Sequence, residues 1–200
     1  LSNFSDWQFN INVTAGVQAM FTGSKITGTN STLDVSGWST LNTTSLTQTF
    51  HQINNSAAFT GAENLTIDIS NLNVSNVTSM TNVFGNVGTT VGSKISNIVG
   101  LSTLGSPQPG CSLNETFAGL RFVKLTASDN ISDAFMNGAN PTTIQGMFQY
   151  LGQGLTSDFG VSPNLASLNL SNFTIANLGR LGALFQNVKV SDVPDFSNVT

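Results

Sequence analysis

An α/β repeat is the fold class this sequence predicts: a solenoid of short parallel strands and short helices with irregular insertions, forming one domain over residues 1–200. Three observations predict it. The landmarks of the stretch from Leu165 to Phe185, LASLNLSNFTIANLGRLGALF, return elsewhere in the chain. An apolar residue is followed four places later by Phe at Val17/Phe21, Leu46/Phe50, Met80/Phe84, Leu113/Phe117, Ile131/Phe135, Ile144/Phe148 and Leu181/Phe185. The separation between the last strand landmark and its Phe is constant in Trp38/Phe50, Leu72/Phe84 and Phe173/Phe185. A unit that cannot bury its apolar side alone needs a neighbour above and below, which is the physical basis of a solenoid.

Each element follows from its period. Leu168 and Leu170 alternate with polar residues as in a half-buried strand, whereas Leu178, Leu181, Leu184 and Phe185 form one apolar stripe on about two turns of helix. The same strand pattern appears at Leu33, Val35 and Trp38, and again at Ile67, Ile69 and Leu72. The Phe residues are the expected core, one per turn of the solenoid and stacked on one another. Gly85, Gly119, Gly138 and Gly152 follow their Phe within a few residues and are expected to cap the helices in the left-handed conformation. Insertions are expected at His51–Asn64, Gly85–Gly100, Leu104–Gly110 and Gly152–Pro163. The units ending at Phe117, Phe135 and Phe148 are crowded, so shortened helices or strandless turns are expected there.

Composition narrows the function classes. Charged residues make up 8% of the chain against 39% hydrophobic, with a net charge of −4. Asn, Ser and Thr supply roughly a third of the residues, so the exposed surface is neutral and rich in amides and hydroxyls. No stretch concentrates Lys and Arg, which argues against nucleic acid and anionic lipid as partners. The single Cys111 excludes an intrachain disulfide. No apolar run is long enough to span a membrane, and no signal sequence opens the chain. The LSNF at the start and FSNVT at the end both read as interior pieces of the repeat, so a fragment of a larger surface protein is expected, with any signal peptide or anchor outside it.

The copy IDISNLNVSNVTSMTNVF, with LNLSNFTIANLGRLGALF and LDVSGWSTLNTTSLTQTF, resembles the BspA-like leucine-rich-repeat surface proteins of bacteria, whose repeat reads roughly LDLSNWDTSNVTNMSGMF. The resemblance implies a leucine-rich-repeat-like solenoid, secreted and attached to the cell wall of a Gram-positive bacterium through regions outside this fragment, with adhesion as its role. Ordinary leucine-rich repeats carry a buried Asn where Trp38, Leu72 and Phe173 stand here, so a straighter solenoid than the usual horseshoe is expected.

No catalytic set emerges, since enzymatic chemistry needs a nucleophile or an acid–base pair held in one site. His51 reads as a loop histidine and Cys111 as a small buried hydrophobe. Asp129, Asn130 and Asp133 carry too few charges for a calcium loop and read as caps of a short helix ending at Phe135. Sequons such as Asn42, Asn73, Asn76, Asn169, Asn172 and Asn198 arise mostly from the repeat's own Asn, Ser and Thr bias, and those in the SNVT element read as turn and cap chemistry. No cofactor and no metal site are expected. The expected function is a non-enzymatic adhesion module binding a host or other cell-surface protein or glycan; the alternative is a structural spacer or self-association module. Ligand contacts are expected in two insertions, at His51, Gln52, Phe59 and Glu63 and at Tyr150, Asp158 and Phe159. The competing reading is that these loops only cover an edge. A neutral binding surface implies weak dependence on salt.

Overall fold

The computed structural model describes residues 17–26, 30–38, 43–53, 63–87, 93–121, 131–132, 134–135, 138, 140–153 and 182–188. Three strands, β1 (Asn30–Asp34), β2 (Glu63–Asp68) and β3 (Ser93–Val99), form a parallel sheet in the order β1-β2-β3. The register aligns Leu33 with Ile67 and Ile67 with Ile98. All three are fully buried, so one row of branched side chains crosses the inner face of the sheet. Val35 and Ile69 continue the pairing by donating to the carbonyls of Asp68 and Val99 at 2.9 Å. The chain then turns, with Trp38 bonded back to Val35 and Leu72 to Ile69. Asp34 and Asp68 fix these turns: each carboxylate accepts from the backbone N–H and the hydroxyl of the serine two residues on, Ser36 and Ser70. In the third unit Gly100 stands at the equivalent corner with φ 97°, where a Cβ would lie 2.4 Å from the Ser70 Cα. Only glycine fits so close an approach of two backbones.

After each corner the chain rises through an isolated parallel bridge, Ser45 to Ser79 to Ser112 to Thr143. It then enters a short segment centred on a Phe, here called a rung. Alternate residues of a rung use their N–H groups in different ways. Gln48, Phe50 and Gln52 donate to Thr81, Val83 and Gly85 of the next rung, while Thr49, His51 and Ile53 donate to the carbonyl three residues back. The same pattern carries Ala19, Phe21 and Gly23 to Thr47, Thr49 and His51. Further on, Asn82, Phe84 and Asn86 pair with Asn114, Thr116 and Ala118, and Glu115, Phe117 and Gly119 with Gln145, Met147 and Gln149. Gly146, Phe148 and Tyr150 pair with Gly182, Leu184 and Gln186.

The expected helices are therefore absent from the rungs. An α-helix sends every N–H to the carbonyl four residues back, whereas here half of them bind the neighbouring rung. Two residues four apart in each rung take the left-handed conformation, with φ between 52° and 72°: Ala19/Gly23, Gln48/Gln52, Asn82/Asn86, Glu115/Gly119, Gly146/Tyr150 and Ala183/Asn187. The Asn, Thr and Gly that crowd these segments are weak helix formers, so pairing between rungs prevails over a lone short helix. Of the glycines expected as left-handed caps, Gly119 and Gly152 are left-handed, and Gly85 and Gly138 are not.

The Phe column is present. Phe21, Phe50, Phe84, Phe117, Phe148 and Phe185 lie face to face at successive centroid distances of 5.9, 5.3, 5.7, 5.9 and 5.5 Å, within 9° of parallel. Trp38 flanks the column against Phe21 and Phe50. Phe135 departs from the expected column: it meets Phe117 edge-on at 6.2 Å and 73° and is fully buried. Ser132 caps the short helical stretch there, its hydroxyl accepting from the Phe135 N–H at 2.9 Å; Asp129, Asn130 and Asp133, expected as caps, lie outside the described residues. Among the described residues Ala134, Phe135 and Gly138 are helical there.

The stretch expected as an insertion at Gly85–Gly100 contains β3. A bulge between Leu65 and Thr66 of β2 leaves Ser96 of β3 without a partner, so Ile95 and Ile98 fall out of strict alternation. Leu168, Leu170 and Phe173, the strand of the last unit, lie outside the described residues.

Candidate functional site

Each rung turns three positions inward. The Phe, the residue before it and the residue four before it are buried in the rungs at Phe50, Phe84, Phe117 and Phe148. At the two left-handed positions and the one just after the Phe, the residues with polar side chains stay partly or fully exposed while Gly85, Ala118, Gly119 and Gly146 are buried, so the polar ones together build a turn face. Its residues include Gln48, His51 and Gln52, then Asn82 and Asn86, then Glu115, then Gln149 and Tyr150.

The side chains on this face lie over glycine backbone. A Cβ on Gly85 would sit 2.3 Å from Asn82 Oδ1 and 3.0 Å from His51 Cδ2, so the absence of a side chain there is what lets His51 and Asn82 close over the rung. Asn86 Oδ1 covers Gly119 in the same way, at 2.4 Å, and the Glu115 chain covers Gly146. His51 Nδ1 and Asn82 Oδ1 are both buried with no hydrogen-bond partner. Burial holds the His51 imidazole below its ordinary pKa of 6.5, and the Glu115 carboxylate pulls weakly the other way. His51 is therefore neutral at neutral pH.

Past the rung of Phe117, Arg121 places its guanidinium over the Tyr150 ring, 4.8 Å from the centroid. Its Nε is buried without an acceptor. A second polar row runs beside the bridges. Gln18 Nε2 donates to Ser45 Oγ at 2.7 Å, and the row continues through Thr47, Ser79, Thr81 and Ser112 to Thr143 by contacts of 2.9 to 3.4 Å. These hydroxyls satisfy one another along the stack.

Of the residues expected at the site, the structure places His51, Gln52 and Tyr150 on the turn face. Gln52 is exposed and left-handed at φ 56°. His51 and Tyr150 belong to rungs separated by those of Phe84 and Phe117, so they share a face without forming one cluster. Glu63 opens β2 and is not a loop residue. Phe59, Asp158 and Phe159 lie outside the described residues, as do Asp129, Asn130 and Asp133. Asn82, Glu115 and Arg121 escaped the sequence reading because residues some thirty positions apart meet only once the rungs are stacked. A usable signal existed for Asn82, since Asn tolerates the left-handed conformation better than most residues.

Cys111 is buried, its thiol pushed up to about 12 by burial against the weaker opposing hydrogen bond at the Met80 backbone. It behaves as a core residue, as expected. Asn73, two residues before the SNVT element of residues 75–78, accepts from the Ser75 N–H at 2.9 Å, a turn bond. Among the described residues no cluster of three metal-ligating side chains occurs, and no helix is long and apolar enough to cross a membrane.

Residues 15–97 match the family model described as Mycoplasma protein of unknown function, DUF285. The matched stretch contains β1, β2 and the rungs of Phe21, Phe50 and Phe84. Comparisons with curated proteins and with solved structures return no significant match.

Proposed function

We propose that this chain is a solenoid of the BspA-like kind, a non-enzymatic binding module of a bacterial cell-surface protein that recognises a protein or glycan on a host or another cell. The observation that carries the reading is the turn face. Rungs held in fixed register by main-chain hydrogen bonds present His51, Gln52, Asn82, Asn86, Gln149 and Tyr150 as parallel polar rows. Rigid display of amides and one aromatic with little charge is suited to a sugar or to a protein surface bound without steering. Probing arrays of host-cell proteins, matrix proteins and glycans with the purified chain tests this, and binding no stronger than that of an unrelated repeat protein sinks it.

A second reading, a spacer or self-association module, is favoured by the pairing from rung to rung, which is a main-chain interaction that another copy can extend. Light scattering over a wide concentration range separates the two. A self-associating spacer grows in mass with concentration and needs no foreign ligand.

A further inference from the structure

We propose that Arg121, held on the ring of Tyr150, is the carboxylate-binding subsite of the turn face and that its ligand is an acidic saccharide. The inference rests on the glycan-binding reading given above and names the ligand's chemistry. Three observations meet at this point. The first is backbone strain. Tyr150 holds φ 62°, a conformation that is costly for a bulky side chain, and the equivalent place in the other rungs is filled by Gly23, Gln52, Asn86, Gly119 and Asn187, none of them aromatic. An aromatic residue kept where glycine or asparagine sits more easily points to a use for its ring.

The second is that use. The ring lies under the Arg121 guanidinium at 4.8 Å, and an arginine stacked on an aromatic face is held flat with its outer N–H groups in the fork that matches a carboxylate. The third is an unmet valence. Arg121 Nε is buried without an acceptor, and among the described residues no carboxylate pairs with this guanidinium. On the same turn face Gln149, the residue before Tyr150, and Gln186 of the next rung bond side chain to side chain. A uronate ring offers a carboxylate to Arg121 and several hydroxyls, each both donor and acceptor, to the amides of the turn face. That face is otherwise rich in amides and poor in charge, which a polyhydroxyl ligand matches better than an acidic protein segment with its run of carboxylates, so the saccharide is the better fit.

The test is titration calorimetry of the full chain with an oligouronate and with the same oligomer carrying methyl-esterified carboxyls. The expected result is a loss of about tenfold or more on esterification, the size of one charge-assisted contact. Binding of the free acid should weaken with salt. Arg121→Lys, which keeps the charge and loses the planar fork, should lose a similar factor, and Tyr150→Phe should bind as wild type. Tyr150→Gly gives the decisive split: melting temperature rises as the strain is relieved, while affinity falls. Equal binding of acid and ester, no binding of the acid, wild-type affinity in Arg121→Lys, or binding only to acidic peptides overturns the proposal. Neutral glycans bound equally by wild type and Arg121→Ala overturn it too, while leaving the wider binding reading intact.

Discussion

At the scale of single residues, the left-handed positions determine what each rung tolerates. Gly119 occupies such a position at φ 72°, and a Cβ there would stand 2.4 Å from Asn86 Oδ1. Gly119→Ala therefore meets both strain and a clash, and should destabilise the protein by about 2 kcal/mol in denaturant titration. The reverse change at Gln52, exposed and left-handed, should be neutral or stabilising by up to about 1 kcal/mol. His51 adds a dependence on pH. Its folded pKa lies below the ordinary 6.5, so above 6.5 it is neutral in both states and contributes no slope. As pH falls below 6.5 the unfolded chain takes up the proton first and stability declines. His51→Gln should flatten the stability profile between pH 6.5 and 5, and an unchanged profile would place the acid sensitivity elsewhere.

At the scale of elements, the ring column and the sheet do different work. Phe84 is fully buried between Phe50 and Phe117, at 5.3 and 5.7 Å. Phe84→Ala should cost about 3 to 5 kcal/mol, since rungs tied by main-chain bonds above and below cannot close the cavity. Phe185 is only half-buried, so Phe185→Ala should cost clearly less than Phe84→Ala. Equal losses at the two positions would mean that burial within the column does not set the cost. Thr116 refines the point. Its buried hydroxyl donates to Leu113 and Met80 carbonyls at 2.9 and 3.0 Å, yet Val83 fills the same place one rung away. Thr116→Val should accordingly cost only about 1 kcal/mol.

The apolar landmarks were legible because burial selects residue type directly: Leu33, Val35, Trp38, Ile67, Ile69 and Leu72 are all buried as their spacing demands. The local backbone was less legible. The stripe of Leu46 and Phe50 or of Met80 and Phe84 fits a helix turn as well as it fits a rung, and only the N–H groups shared between rungs distinguish the two. The bulge hid β3, and the site residues Asn82, Glu115 and Arg121 are assembled by stacking, which no local pattern records.

At the scale of the whole molecule, stability should be graded along the stack and not uniform. Each rung contacts chiefly its neighbours, so protection depends on how many neighbours a rung has. Hydrogen exchange should be slowest at the amides of Phe50, Phe84 and Phe117, which are buried and bonded to the next rung. It should be faster at Ala19, an exposed residue in the first described rung. Uniform protection along the stack would contradict this nearest-neighbour picture.

The prevailing direction of the bonds between rungs has an electrical consequence. In a flat sheet the peptide groups alternate and their dipoles largely cancel. At the Phe and the two left-handed positions of the rungs from Phe21 to Phe148, the N–H points toward the higher-numbered rung, from Ala19 to Thr47 through to Tyr150 and Gln186, and the carbonyl that receives it faces the opposite way; Gly152, which donates to Leu120, runs against this direction. The peptide dipoles therefore add along the stack much as they do along a helix axis. The turn face becomes more positive from the Phe21 rung toward the Phe185 rung, and a charged partner meets a surface with a built-in sense of direction even where its side chains are neutral.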